Sequence, residues 1–143
     1  PKNTTALFQY GNIFLMEKNY KKALSKYNKI IEIKANFWQA INNKGLIYFE
    51  EDKIPLAINN FTKAIEIKKN PESMLALGVS LKDTNKKKSI LLVKEALLKD
   101  PNYVSLEFRK EQLWGEKLQK ATEELFKIEE LKEDIYIANL YKN

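Results

Sequence analysis

Apolar and small residues recur along this chain every three or four positions, the period of an amphipathic helix, and the whole pattern then repeats. Gly11 and Gly45 are 34 residues apart, as are Phe14 and Tyr48, Ala23 and Ala57, Tyr27 and Phe61, Ile30 and Ala64, Ile33 and Ile67, and Asn36 and Asn70. Seven matches at one offset are not chance. They predict helices over about 4–18, 20–34, 37–51, 54–68, 71–82, 87–99, 102–114 and 117–131, with a short piece at 134–141. Pro55 and Pro71 fall in first turns, where a missing N–H costs nothing, and Asp100–Pro101 stops one helix before the next.

The first block reads Leu7, Gly11, Phe14, then Ala23, Tyr27, Ile30; the second reads Ile41, Gly45, Tyr48, then Ala57, Phe61, Ala64. A third reads Met74, Leu77, Gly78, Leu81, then Ser89, Val93, Ala96 and the closing Asp100–Pro101, one residue shorter between its helices. This resembles the tetratricopeptide repeat family, whose helix–turn–helix unit has this length and the signature W-x2-L-G-x2-Y, then A-x3-F, then P. The resemblance implies an all-α, right-handed superhelix of antiparallel helix pairs. One domain is expected over 1–143, with repeats at about 4–37, 38–71 and 71–103 and a degenerate repeat with cap over 104–143. In that last unit Leu118, Ala121, Leu125 and Ile128 are aligned with Tyr20, Ala23, Tyr27 and Ile30, and Glu111 stands where the glycine belongs. The small residues are expected to let neighbouring backbones approach, and the aromatics to fill the layer between helix pairs.

In such a superhelix the first helix of each pair builds the concave wall, where partners dock. Residues spaced 3, 4 and 3 apart share one helical face. They place Thr5, Phe8, Asn12 and Leu15 on that wall from the first repeat, Gln39, Asn42, Leu46 and Phe49 from the second with Asn43 at its border, and Glu72, Leu75, Val79 and Lys82 from the third. The expected site is a groove in which asparagines bracket a peptide backbone while Phe8, Leu15, Leu46, Phe49, Leu75 and Val79 take its apolar side chains. The family's carboxylate clamp for acidic chaperone tails uses Lys and Asn, then Asn, then Lys and Arg. Asn12 and Asn43 match it, but Phe8 replaces the first lysine, and Glu72 and Ala76 stand where the basic pair belongs. A carboxylate would meet no cation there, so an acidic chaperone tail is disfavoured.

Composition narrows the chemistry. Histidine and cysteine are both absent, which removes imidazole bases, thiolate nucleophiles, disulfides and the common zinc, haem and iron–sulfur ligand sets. Paired carboxylates such as Glu123–Glu124 and Glu129–Glu130 point to different sides of a helix. No enzyme activity, cofactor or metal is therefore expected. The net charge of +6 is almost wholly lysine, with Arg109 the single arginine. Nucleic-acid readers favour the arginine fork, so this balance argues against a nucleic-acid partner. Lysine clusters at 68–69 and 86–88 fall at helix junctions, where cations complement helix C-termini and keep turns solvated.

The carboxyl-terminal stripe of Trp114, Leu118, Leu125, Ile128, Leu131, Ile135 and Tyr141 is expected to cover the last apolar face of the array. A sharper alternative folds 134–141 into a groove in cis, or onto a second copy as a homodimer contact. The functional expectation is a protein-interaction module, an adaptor or assembly factor holding a peptide or helix in its concave groove. The alternative is a self-associating scaffold segment of a longer, membrane-tethered protein. No apolar run approaches the roughly 20 residues of a membrane span. A cytoplasmic segment is the default, with a leader or anchor ahead of Pro1 left open.

Overall fold

A computed structural model describes residues 3–143. Six helices form three antiparallel pairs: α1 (Thr4–Met16) with α2 (Tyr20–Ile33), α3 (Trp38–Glu50) with α4 (Ile54–Ile67), and α5 (Pro71–Ser80) with α6 (Lys86–Lys99). Each pair stacks on the next, with α3 against α2 and α5 against α4. No strand occurs among the described residues. The architecture is the α-solenoid the 34-residue period predicts.

Asparagine starts most of these helices. The Oδ1 atoms of Asn3, Asn19, Asn70 and Asn85 accept from the backbone N–H of Ala6, Lys22, Ser73 and Lys88 at 3.1, 3.3, 2.8 and 3.2 Å, each satisfying a donor that the first turn leaves free. The turns within the first two pairs are closed alike. Lys18 and Asp52 take φ values of 60° and 62°, and the following N–H groups of Asn19 and Lys53 reach back to the carbonyls of Phe14 and Tyr48, both at 2.8 Å. This is a Schellman ending with its left-handed residue at the same place in two repeats. The third repeat, one residue shorter, ends α5 early at Ser80 and replaces that turn with the longer link 81–85.

The repeat glycines serve aromatic rings more than backbone contact. A Cβ at Gly11 would stand 2.6 Å from Tyr27 Cε1, and one at Gly45 would stand 2.5 Å from Phe61 Cε1. The second helix of each of these pairs lays a fully buried ring on the glycine of the first. In the third pair Val93 replaces the ring. There the backbones do close up, and Ser89 Oγ donates to the Gly78 carbonyl at 2.6 Å.

Beyond Pro101 the chain departs from the stack. A 3₁₀ turn (Pro101–Val104), α7 (Leu106–Glu111), α8 (Glu116–Leu125) and a second 3₁₀ turn (Glu129–Leu131) replace the two long helices expected over 102–114 and 117–131, while α9 (Lys132–Tyr141) lies where the short piece over 134–141 is expected. Pro101 and the Asp100 carboxylate, which accepts from Asn102 N at 3.0 Å, hold the first turn short, and Ser105 then caps α7. α7 and α8 form a hairpin closed by another Schellman turn, with Leu113 at φ 70° and Trp114 N–H bonded to the Arg109 carbonyl. That turn sets the register. Counting from the left-handed residue, Leu118, Thr122 and Leu125 take the places of Ala23, Tyr27 and Ile30, and all three are buried while Ala121 is not. The register therefore lies three residues from the spacing expected from the sequence. α9 and the first 3₁₀ turn cover α6, whereas α8 crosses to the other side of the molecule and lies against α3 and α5.

Candidate functional site

The inner wall is made by α1, α3 and α5, as the face arithmetic requires, but much of it is already covered. Asn42, Asn43, Leu46, Phe49, Leu75 and Val79 are buried, and so is Leu15. Phe8 and Asn12 are half-buried, Gln39 is exposed, and Lys82 is partly exposed, pairing with its neighbour Asp83 at 3.2 Å. Phe8 rests among rings, its centroid 6.0 Å from that of Tyr27 and 5.3 Å from that of Phe37.

The asparagines expected to bracket a ligand are bonded to one another. Asn12 Oδ1 accepts from Tyr27 Oη at 2.6 Å and from Asn43 Nδ2 at 3.1 Å. Asn43 Oδ1 accepts from Asn42 Nδ2 at 3.2 Å. Asn42 in turn accepts from Ser73 Oγ at 2.7 Å and donates to Glu72 Oε2 at 2.9 Å. A continuous polar seam thus links the first helices of all three repeats. Buried amides of this kind must be satisfied, and here the protein satisfies them internally.

What covers the wall is the α7–α8 hairpin. Trp114, only 4% exposed, donates its indole N–H to Glu72 Oε2 at 3.1 Å. Leu118 is fully buried. Gly115, the N-cap of α8, provides no side-chain cap of its own; Glu50 supplies it instead, accepting from Lys117 N and Leu118 N at 3.0 Å each. A carboxylate is the favoured partner of a helix N-terminus. Gly115 permits this approach, because a Cβ there would stand 2.3 Å from Glu50 Cδ and push the carboxylate off the two N–H groups. Beside the hairpin an open cleft of about 310 Å³ survives, lined by Leu15, Met16, Tyr20, Leu46, Lys110 and Trp114 among others.

The hairpin is held together by the single arginine. Arg109 is wholly buried, with Nε donating to Gln119 Oε1 at 2.7 Å, Nη1 donating to the Tyr103 carbonyl at 2.8 Å, and Nη2 paired with Glu123. Its guanidinium also lies 5.1 Å from the Phe126 ring centroid and 6.0 Å from that of Trp114. Burial pulls its pKa down, and Glu123 opposes that shift. Burial likewise pushes the Glu72 carboxyl up to about 7, against the bonds from Trp114 and Asn42.

Sequence reasoning placed the wall and missed its occupant. Trp114, Gly115, Leu118, Glu50 and Arg109 were absent from the expected groove, although a tryptophan followed by glycine at the broken repeat was a visible signal. Among the described residues no cluster of three His, Cys, Asp or Glu is placed to hold a metal, and no helix is long and apolar enough to cross a membrane.

Stacked helical hairpins with an inner wall of first helices define a helical-repeat protein. The sequence profile of the tetratricopeptide repeat matches residues 39–71, the second repeat. The fold is similar to that of the Arabidopsis OM64 TPR domain, with a TM-score of 0.65 at 20% identity over 85% of this chain and 91% of that one. No curated protein sequence matches. The second repeat thus carries the tetratricopeptide-repeat pattern in its sequence, and the chain shares the fold of a TPR domain.

Proposed function

We infer that this protein is an adaptor or assembly module that holds a peptide or helical segment of another protein on its concave face. One observation carries the reading: the wall built by α3 and α5 packs against a helix in this structure, α8, with a carboxylate for the helix N-terminus and a second for an indole N–H. The expected groove residues belong to this reading in two ways. Leu46, Phe49, Leu75 and Val79 make the buried apolar floor, and Phe8, Asn12, Leu15, Gln39 and Lys82 flank it.

The asparagine seam changes how the reading is tested. Alanine at Asn12, Asn42 or Asn43 would break internal bonds, and alanine at Phe49 would empty a core site, so loss of binding there would not report the groove. Photocrosslinking side chains at Gln39 and Met16, both exposed on the concave side, are the better probes, with Lys63 and Leu91 as outer-surface controls. Crosslinks to a partner from the concave pair alone support the reading. Crosslinks only from the controls refute it.

A self-associating scaffold is the second reading. The outer face of α9 leaves Tyr136, Leu140 and Tyr141 more than 60% exposed, next to Leu98 at 77%. Leu140→Lys with Tyr141→Lys would turn a dimer into a monomer without touching the buried Ala138 contact. Unchanged solution mass would remove this reading.

A further inference from the structure

We propose that the segment from Trp114 to Leu125 is a built-in ligand of the concave groove, and that the partner it stands in for is an amphipathic helix entered by Trp-Gly. The proposal rests on the concave-face reading and gives it a partner class and a means of regulation.

Three features separate this segment from an ordinary repeat. The first is recognition of a helix start. α8 begins at a glycine with no side chain to cap its first turn, and the missing acceptor is Glu50, 65 residues upstream in the second repeat. Any helix that presents a bare glycine N-cap to Glu50 gains the same two bonds, and a residue larger than glycine collides with the carboxylate. The second is recognition of the preceding residue: the Trp114 indole N–H meets Glu72, itself fixed by Asn42. Phenylalanine would leave that buried acceptor short of a donor, and discrimination against such an analogue is strong where a buried polar group goes unpaired. The third is that the apolar residues Leu118 and Leu125, with Thr122 between them, share one face of α8 and are buried, while Glu116, Lys117, Lys120 and Glu124 face water.

The hairpin is also held together independently of the wall it covers. The buried bonds of Arg109 reach Tyr103, Gln119 and Glu123, all inside 101–126, and Gln119 Nε2 adds a bond to the Leu106 carbonyl at 2.9 Å. Its polar links to the repeats are few: the two carboxylates, and the exposed ion pairs Lys18–Glu116 and Lys117–Asp52. Surface pairs of that kind contribute little. The α7–α8 hairpin can therefore swing off α3 and α5 while Arg109 keeps it bonded to the 3₁₀ turn on α6, uncovering the inner faces of α3 and α5 for a competing helix. A short tether gives the internal segment an effective concentration on the order of millimolar, and with an intrinsic affinity of about ten micromolar for the wall it weakens an external ligand roughly a hundredfold.

The test uses the full chain and a fluorescein-labelled peptide of residues 112–127. In the double variant Trp114→Ala, Leu118→Ala the segment loses its anchors, while the wall that would bind the peptide is unaltered. Fluorescence anisotropy is expected to show the peptide binding the variant at least tenfold more tightly than wild type, with the gain abolished by adding Glu50→Ala. A gain below tenfold, or one indifferent to Glu50, overturns the proposal. If the double variant loses its helical circular dichroism, amide exchange on wild type decides instead. Exchange over 116–125 at least tenfold faster than over α3 and α4 supports an opening hairpin, and a smaller ratio overturns it. Peptide failure together with concave crosslinks from Gln39 sinks the built-in ligand alone. Loss of those crosslinks sinks the concave reading whatever the peptide does.

Discussion

Glu72 offers the sharpest quantitative test of how the wall is held. Its carboxyl is taken out of water between α5, Asn42 and the Trp114 indole, and burial raises its pKa from the ordinary 4.5 to about 7. The folded state therefore takes up a proton that the unfolded chain does not, over the window between those two values. At about 1.4 kcal/mol for each factor of ten, the whole effect is about 3 kcal/mol. The sign follows from the direction. A carboxyl raised on folding contributes stability that is fully present below 4.5 and lost as pH rises through 7, because above that the fold must carry a desolvated charge. Between pH 5 and pH 8 the loss is about 2–3 kcal/mol. Glu72→Gln keeps the shape and an oxygen to accept from Trp114 and Asn42, and removes the charge. Tyr27 and Tyr103, its titratable neighbours, are pushed up from their ordinary value by burial and stay neutral throughout this window. Urea unfolding of both proteins at pH 5, 6, 7 and 8 isolates the effect as the stability of wild type minus that of the variant. That difference is expected to fall by about 2–3 kcal/mol across the series, the variant gaining ground as pH rises. A difference that is flat, or that rises with pH, refutes the assignment of a buried and costly charge to Glu72.

Two further substitutions test the packing. Gly45→Ala forces a Cβ to within 2.5 Å of the fully buried Phe61 ring; the overpacking outweighs the roughly 1 kcal/mol of helix propensity that alanine gains, for a net loss of about 1–2 kcal/mol. Gly78→Ala meets nothing nearer than 3.1 Å and is expected within about 1 kcal/mol of wild type, so chemical denaturation that ranks Gly78→Ala as the more damaging overturns the ring-on-glycine account. Arg109→Met leaves the Tyr103 carbonyl and Gln119 Oε1 without their donor and Glu123 without its cation, at a cost of about 2–4 kcal/mol, chiefly from the two unpaired acceptors. A melting temperature unchanged to within about 3 °C would show that the arginine does not hold the hairpin, since 1 kcal/mol moves a domain of this size by a few degrees.

Sequence alone determined the repeat. Helix period, glycine and aromatic spacing, asparagine caps and first-turn prolines are local, and each acts over a few residues or across one 34-residue step. For that reason the first six helices were legible, as were the positions that share one face of a first helix, Phe8 with Asn12, Leu46 with Phe49, and Leu75 with Val79. Even so, the partner of each glycine differed: a ring at Gly11 and Gly45, a backbone at Gly78. The same rule also misplaced the last unit by three residues, because Pro101 and the left-handed turn at Leu113 reset a register that periodicity had carried forward.

Only the tertiary structure decided what lies on the wall. The bonds from Glu50 to Lys117 N and Leu118 N, and from Trp114 to Glu72, join residues 42 to 68 positions apart. They have no period and no motif. The asparagines show the same limit: their spacing revealed that they share a face, but whether an amide on that face waits for a ligand or bonds to its neighbours depends on which buried donors and acceptors come within 3 Å of it. Here Tyr27, Ser73 and Glu72 come that close, and the seam is closed. Periodicity is a property of each helix singly, whereas occupancy of a groove is a property of every surface that could reach it, and the chain settles that only once it is folded.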